Sequence, residues 1–557
     1  MSSPLIMRIS DTLSLLFACI FFCSQALAEP AETSASQLPA ADAFTQAVMG
    51  LQSRSFNDKA KAIEQLTVLE DARALPLFKA LLAGDLFYQR EQHYVVILSS
   101  SETGHSAVDA IGGTTSSNVD KAAYKKITIN NKLRGQLRGS IAQLHMSHTD
   151  PAVRLSAAQE LLTQMDSDRL ALMQNRLTLE TDATVREVLL TGIAMAQIDS
   201  DDAQQRLTAI QLLGKSNHPE AKQRLLTLVS KDGDGKFQET DKSVITTAQA
   251  ALRDIEGRSK LYGFAETVFF GLSLGSVLLL TAIGLAITFG VMGVINMAHG
   301  ELMMLGAYTT YVVQLLMPNY IDYSLFIAVP AAFLVAGLTG IAIERGIIRH
   351  LYGRPLETLL ATFGISLILQ QLVRSVFSPL NRSVETPSWM SGSWEINSMF
   401  SLTYNRLYIL AFALIVFAAL VLILKKTRLG LQVRAVSQNR AMARAMGVSS
   451  NWVDALTFGL GSGIAGVAGV ALSQLTNVGP NLGQGYIIDS FMVVVFGGVG
   501  NLWGTFVGAM SLGVINKFME PWSGAVLAKI IVLVFIILFI QKRPRGLFPQ
   551  KGRTVEN

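Results

Sequence analysis

The chain has 557 residues, half of them apolar, a mean hydropathy of +0.38 and a formal net charge of +5, which exclude a single small domain and a wholly water-soluble protein. Residues 261–557 carry 19 Lys and Arg against 11 Asp and Glu, and the first 260 carry 27 against 30. The basic excess therefore lies beside apolar runs, where anionic lipid accounts for it and nucleic acid is not needed as a partner.

Residues 1–28 read as a secretory signal. Arg8 supplies the positive start, Leu13 to Cys23 an apolar core too short to span a bilayer easily, and Ala26-Leu27-Ala28 the small-residue cleavage site. The mature chain is expected to begin at Glu29, outside the membrane. Both cysteines, Cys19 and Cys23, fall in this signal, so disulfides, thiol catalysis and cysteine-ligated metals drop out of the mature chain.

Residues 29–255 show helical periodicity and few strand signals, and predict a secreted helical domain. Asp150-Pro151-Ala152-Val153-Arg154 and Asp182-Ala183-Thr184-Val185-Arg186 open similar segments 32 residues apart, with weaker echoes at 205–210 and 60–66. That spacing is helix-pair size and Asp suits a helix start, so the reading is a short HEAT-like array, with an irregular helical bundle as the alternative. Residues 99–117, rich in Ser and Gly, read as a long loop. Asp232-Gly233-Asp234-Gly235 looks like the start of a calcium loop, but Phe237 and Ser243 stand where Gly and Glu are required, so it reads as a solvated turn. No nucleophile–base pair or metal-ligand cluster stands out, and no catalytic residue, metal or cofactor is assigned.

Apolar runs long enough to cross a membrane lie near 264–289, 291–316, 323–344, 356–377, 406–424, 452–475, 486–518 and 524–541. The seventh is interrupted by Gly497-Gly498-Val499-Gly500-Asn501-Leu502-Trp503-Gly504. Taken as two short passes it brings the total to about nine. An odd count carries the chain from an outside Glu29 to an inside tail at Lys542-Arg543-Pro544-Arg545, with Arg345, Arg349, Arg354 and the stretch Lys425 to Arg444 inside as well. Loop 378–405 then lies outside, with Trp389 and Trp394 at headgroup level. Gly pairs such as Gly466/Gly469 and Gly504/Gly508 read mainly as packing notches. Gly-interrupted stretches at 290–300 and 497–504 leave backbone groups unpaired, which is tolerated only against a cavity or within protein, and they point to a translocation path.

Between the fifth and sixth runs lies 425–449, basic and helix-prone, where four or five residues would turn the chain. Its charges and its Ala and Met surface suit a partner that supplies force from the cytoplasm.

Asn296-Met297-Ala298-His299-Gly300-Glu301 through Tyr308 resembles the first signature of permeases of the branched-chain amino acid type of ABC importer. The segment 425–449 resembles their cytoplasmic loop, and Phe496 to Gly504 and Lys542 to Phe548 their last two signatures. The resemblance covers about 262–549 and implies an all-α, polytopic membrane permease of about nine passes in a bacterial inner membrane, the secreted helical domain being periplasmic and the C-terminus cytoplasmic. Usual members lack the first 260 residues. A secreted helical domain ahead of such a permease is similar to the permease subunit of urea ABC transporters. The expected function is therefore the translocation path of an ATP-driven urea importer. The alternatives are a branched-chain amino acid or short-amide permease of the same kind, or a stand-alone channel or carrier. The chain has no G-x-x-x-x-G-K-[ST] phosphate loop, so it is not expected to be the enzyme that hydrolyses ATP. The implied partners are cytoplasmic ATP-binding subunits, a second permease subunit, a periplasmic substrate-binding protein and membrane lipid.

Polar groups at membrane depth are expensive and default to function. The candidates for the substrate path are Thr288, Asn296, His299, Glu301, Asp489 and Asn501. His299 and Glu301 lie two apart and on an ideal helix do not face each other. Urea wants neutral donors and acceptors; an amino acid wants charge partners. For coupling to the ATPase, a helix around 437–447 is expected in a groove of the partner, with Arg434, Arg440 and Arg444 on its acidic rim and Ala441, Met442 and Met446 in the groove before Gly447. The competing reading is a basic amphipathic helix lying on lipid.

Overall fold

The computed structural model of the protein describes residues 43–548, apart from 70, 90–93, 102–103, 118, 121–122, 164–166, 232–236 and 238. The signal expected at 1–28 and the turn Asp232–Gly235 lie outside the described residues. The chain divides into two compact units, one ending at Leu189 and one starting at Leu190.

The first unit opens with α1 (Ala43–Gly50), α2 (Phe56–Val68) and α3 (Ala74–Ala83). Strands β1 (Leu86–Gln89), β2 (Val95–Ser101), β3 (Gly104–Asp109), β4 (Thr115–Ser117) and β5 (Tyr124–Lys126) follow, then α4 (Asn131–His145), α5 (Pro151–Leu162) and α6 (Ser167–Leu179). The strands form an antiparallel sheet in the order β4-β3-β2-β1-β5. The chain is thus not all-α, and 99–117 is not a loop. Serine-rich composition hid the strands. Ser99 and Ser106 pair across β2 and β3 through hydroxyls 2.7 Å apart, while Phe87, Val96, Leu98 and Ala107 bury one face. Asp109 closes the β3–β4 turn by accepting from the amides of Ile111 (2.9 Å) and Gly112 (2.7 Å).

One device recurs at helix starts. Asp150 caps α5 by accepting from the Ala152 amide, and Arg154 reaches back to donate to the carbonyls of His148 and Thr149. Asp182 caps α7 (Ala183–Gln197), and Arg186 donates to the carbonyls of Leu177 and Glu180. Asp202 caps α8 (Ala203–Lys215), and Arg206 donates to the carbonyls of Ser200 and Asp201. The Asp holds the first free amides while the Arg four residues on satisfies the carbonyls of the preceding loop. Glu180 is buried against Arg154 (2.7 Å) and Arg176 (3.2 Å), and the Arg154 guanidinium holds its carboxyl down to about 2.

In the second unit α8 and α9 (Pro219–Leu228) pack on the first third of α10 (Lys242–Met292) through Ile210, Leu213, Leu225, Val244, Ala248 and Leu252. At 1.5 Å per residue α10 is about 75 Å long, and it crosses 255–262 without interruption. After it come α11 (His299–Leu316), α12 (Ile321–Gly346) and α13 (Pro355–Phe377). The hairpin β6 (Ser393–Asn397) and β7 (Phe400–Thr403) leads into α14 (Tyr404–Lys426), α15 (Arg428–Gln438), α16 (Arg440–Ala445) and α17 (Ser450–Ser473). The chain ends with α18 (Gln484–Gly497) and α19 (Leu502–Lys542). Among the described residues α10, α12, α13, α14, α17 and α19 are long and apolar enough to cross a membrane.

Close packing centres on α17. An added methyl on Gly466 would strike the Ala332 carbonyl of α12, and one on Gly469 the Met303 carbonyl of α11. The run 486–518 is two helices, α18 and the start of α19, joined by a turn in which Gly498 and Gly500 take positive φ. α19 is itself broken at Gly524, just after Pro521. The basic tail folds onto the glycine turn: Leu547 donates to the Phe496 carbonyl (2.9 Å) and Phe548 to that of Gly497 (3.2 Å). Gly290, near the end of α10, packs on Gly500 of the same turn. At the other end loop 378–405 is ordered. Trp389 donates to the Asp322 carbonyl (2.9 Å), and Ser398 to that of Asn217 (2.8 Å) beside Met399, which packs against α8–α10.

Candidate functional site

The polar centre of the bundle is built where α10 stops. Gly293 ends that helix with φ +67°, and residues 294–298 lie outside both helices before α11 begins. Side chains hold this unwound stretch. Asn296 Oδ1 accepts from the Ala298 amide (3.0 Å), and Thr362 Oγ1, from α13, accepts from that of Met297 (3.1 Å). Non-helical backbone at this depth is stable because it lies inside protein.

The first turn of α11 sends its side chains to different neighbours. His299 is buried, with Nε2 2.8 Å from the Thr281 carbonyl of α10. A carbonyl only accepts, so this nitrogen carries the proton and Nδ1 is left as an acceptor with no hydrogen-bond partner. Glu301 points to α13, where its Oε1 accepts from Ser366 (3.0 Å) and Gln370 (2.6 Å). Its Oε2 is buried and unpartnered, as is Asn296 Nδ2. His299 and Glu301 thus share a turn and serve opposite helices. Thr288 is buried and turned onto its own helix, bonding the carbonyls of Gly284 and Leu285.

The other two path candidates lie elsewhere. Asp489, on α18, pairs with Lys529 of α19 at 2.9 Å. Asn501 caps α19 by accepting from the amides of Trp503 (3.1 Å) and Gly504 (3.2 Å), and donates to the Phe548 carbonyl (3.2 Å). It holds the glycine turn against the tail. Sequence reasoning missed Thr362, Ser366, Gln370 and Lys529. Thr358, Thr362, Ser366 and Gln370 recur every fourth residue of an apolar helix, all buried, and that stripe was a readable signal. Lys529 is the one charged residue of 521–541, a second such signal.

The segment 425–449 is two helices rather than one. Thr427 caps α15 by accepting from the Gly430 amide (3.2 Å), and Asn439 breaks the chain there and caps α16 by accepting from that of Met442 (2.9 Å). Val433, Val436 and Ala443 are buried with Val453 of α17. Each of the three arginines expected to face a partner also bonds within the chain. Arg434 bonds the Leu424 carbonyl, Arg440 donates to Asp454 at 2.8 Å, and Arg444 to Ser450 Oγ at 2.6 Å. Met442 is 60% exposed and Met446 78%, with Ala441 and Gly447 exposed beside them, and Arg434 and Arg444 are exposed on the same segment.

Residues 267–540, which run from α10 to α19, match the family described as branched-chain amino acid transport system / permease component. The chain is 31% identical over 295 residues to the high-affinity branched-chain amino acid transport system permease protein LivH of Salmonella typhimurium, a match covering 51% of this chain and 95% of that one. It is 29% identical over 297 residues to the corresponding protein BraD of Pseudomonas aeruginosa (52% and 96% covered). It is 26% identical over 273 residues to the ribose import permease protein RbsC of Escherichia coli (47% and 80% covered). A match over nearly the whole of such relatives, lying on the helices that carry the unwound stretch and the glycine turn, means that this chain belongs to the branched-chain amino acid transport permease family, whose members are ABC-type membrane permease subunits.

Proposed function

We propose that the chain provides the membrane path of an ATP-driven importer, that partner subunits hydrolyse the ATP, and that the solute is urea. The observation that carries the ATP-driven reading is the exposed Ala441, Met442 and Met446 surface on a short helix locked to α17 by Arg440 and Asp454. A loop that only turned the chain would need no such surface. Ala441, Met442, Met446 and Gly447 meet the ATPase groove, and Arg434, Arg440 and Arg444 meet its acidic rim while also bonding within the segment. The basic ends of the helices face the cytoplasm by the positive-inside rule, the chain makes nine passes, and the helices ahead of the bundle lie in the periplasm, where they recruit or orient the binding protein. A second permease subunit completes the path.

Urea is small, neutral and planar, with amide donors and one carbonyl acceptor. Among the buried groups without partners, Glu301 Oε2 and His299 Nδ1 are acceptors and Asn296 Nδ2 is a donor, the kinds of group that the amides and the carbonyl of urea each take. Thr288, Asp489 and Asn501 are the further candidates for the path. The branched-chain amino acid reading is favoured by the names of the relatives. The test is ATP-dependent uptake of labelled urea, with labelled leucine alongside, in vesicles holding the chain and its partner subunits. Urea uptake that stops without ATP or binding protein supports the proposal. Leucine uptake moves the solute and keeps the mechanism; uptake by this chain alone, without ATP, sinks it.

A further inference from the structure

Below the polar centre a second cluster of charges gathers four chain segments. Arg440 of α16 donates to Asp454 Oδ1 of α17 at 2.8 Å, and its guanidinium lies 3.9 Å from the centre of the Tyr352 ring, just after α12. Arg345, in the last turn of α12, lies 4.1 Å over Trp452 of α17. Beside it Glu344 is 3% exposed, yet its Oε2 makes no hydrogen bond. The nearest ion-pair partner is Arg345 Nε at 3.9 Å, and Arg345 Nε and Nη2 also make no hydrogen bond. Buried polar atoms without hydrogen bonds are costly and rare, and a buried carboxylate oxygen with only a long ion pair has room for a closer cation.

An obvious cation is at hand. Arg345 over Trp452 brings the foot of α12 to the head of α17, and there Asp454 holds Arg440 against Tyr352, so that guanidinium belongs to the same cluster as the Glu344 carboxylate. The two acids sit on the two helices that pack most intimately here, where Gly340 of α12 abuts Ser462 of α17 and Gly337 abuts Gly459. The short helix that carries Arg440 exposes Met442 on its other side.

We propose that Glu344 is a second seat for Arg440, a positioning residue that receives the guanidinium from Asp454 when the 425–449 segment moves. In one state the segment is tied to the head of α17, in the other to the foot of α12. The exchange makes the movement of a docked partner alter how these two helices bear on α11 and its polar turn. This inference rests on the ATP-driven reading and adds to it the residue that switches.

The test uses the full-length chain assembled with its partner permease, ATPase subunits and binding protein, and reads labelled urea and labelled leucine moved per ATP hydrolysed. The variants are Glu344→Gln, Arg440→Gln and the pair. If Glu344 is the second seat, each single change lowers the ratio about fivefold and the pair lowers it no further, because each abolishes the same exchange. Losses that multiply in the pair overturn the proposal, and so does an unchanged ratio in Glu344→Gln. Should Glu344→Gln fail to assemble, Glu344→Asp keeps the charge and withdraws it by one methylene. The cycle run with that variant is again expected not to multiply, and multiplication again overturns the proposal. Uptake that needs no ATP overturns the importer reading beneath it, which separates the two failures.

Discussion

Gln370 donates to Glu301 Oε1 at 2.6 Å, so that α13 grips the first turn of α11 through two buried side chains. Ser366, one turn earlier, adds a second bond at 3.0 Å to the same oxygen. One carboxylate oxygen is thereby fixed and the other is left facing no partner. That asymmetry is the strongest sign that this turn does more than hold the bundle together.

Gln370→Leu removes one of those donors from a buried acceptor, a change that costs about 1–3 kcal/mol. The expected result is a lower unfolding temperature in detergent together with slower uptake. Glu301→Gln keeps the shape but replaces an acceptor oxygen with a donor, and is expected to abolish uptake while the protein still assembles. Thermal unfolding and vesicle uptake check both; normal uptake by Glu301→Gln would remove this residue from the path.

Glu180 gives a prediction in pH. Its carboxyl ordinarily titrates near 4.5 and is held at about 2 in the fold by Arg154. A depressed folded value means that the pair stabilises the first unit fully above 4.5, and that this contribution is lost as pH falls from 4.5 toward 2. Stripping one partner from a buried pair costs about 3–5 kcal/mol, so Glu180→Gln is expected to be much less stable at neutral pH. Its unfolding temperature should vary less than the parent's across the acid range. Parallel slopes for the two proteins would show that another group governs the acid limb.

Gly469→Leu tests the packing of α17. Even a methyl group there would meet the Met303 carbonyl of α11, and a backbone atom cannot move aside as a side-chain tip can. Overpacking of this kind costs about 1–3 kcal/mol or more. Low yield, or a fold with early unfolding, is expected, whereas Gly364→Leu, at an open position of α13, should be silent.

Met446→Glu and Ala441→Trp alter the outward face of the 425–449 segment without touching the buried contacts of Val433, Val436 and Ala443. Uptake is expected to fail with both, and co-purification of the ATPase subunits to weaken. The lipid-facing alternative predicts tolerance of Ala441→Trp, because an aromatic ring suits the headgroup region. Retained transport in that variant decides for lipid.

The sequence alone was enough for the membrane bundle, the broken stretches near 290–300 and 497–504, and the Asp residues that start the soluble helices. All of these rest on local properties, namely apolar length, glycine where the helix must stop, and Asp or Asn where free amides begin. It misread 86–126: Phe87-Tyr88 and Val95 to Leu98 were a readable strand signal, whereas the Ser-rich end of β2 and β3–β4 hold through partners across the sheet, which composition does not reveal. It read 437–447 as one helix because Asn439 is a weak signal until its side chain is seen on the Met442 amide. Where the polar groups go is settled by which helices meet. His299 and Glu301 diverge to α10 and α13, Asp489 finds Lys529 forty residues on, and Arg440 turns inward to Asp454. A buried charge must be paired, and the pairing is set by which helices meet, a long-range fact that no single segment carries.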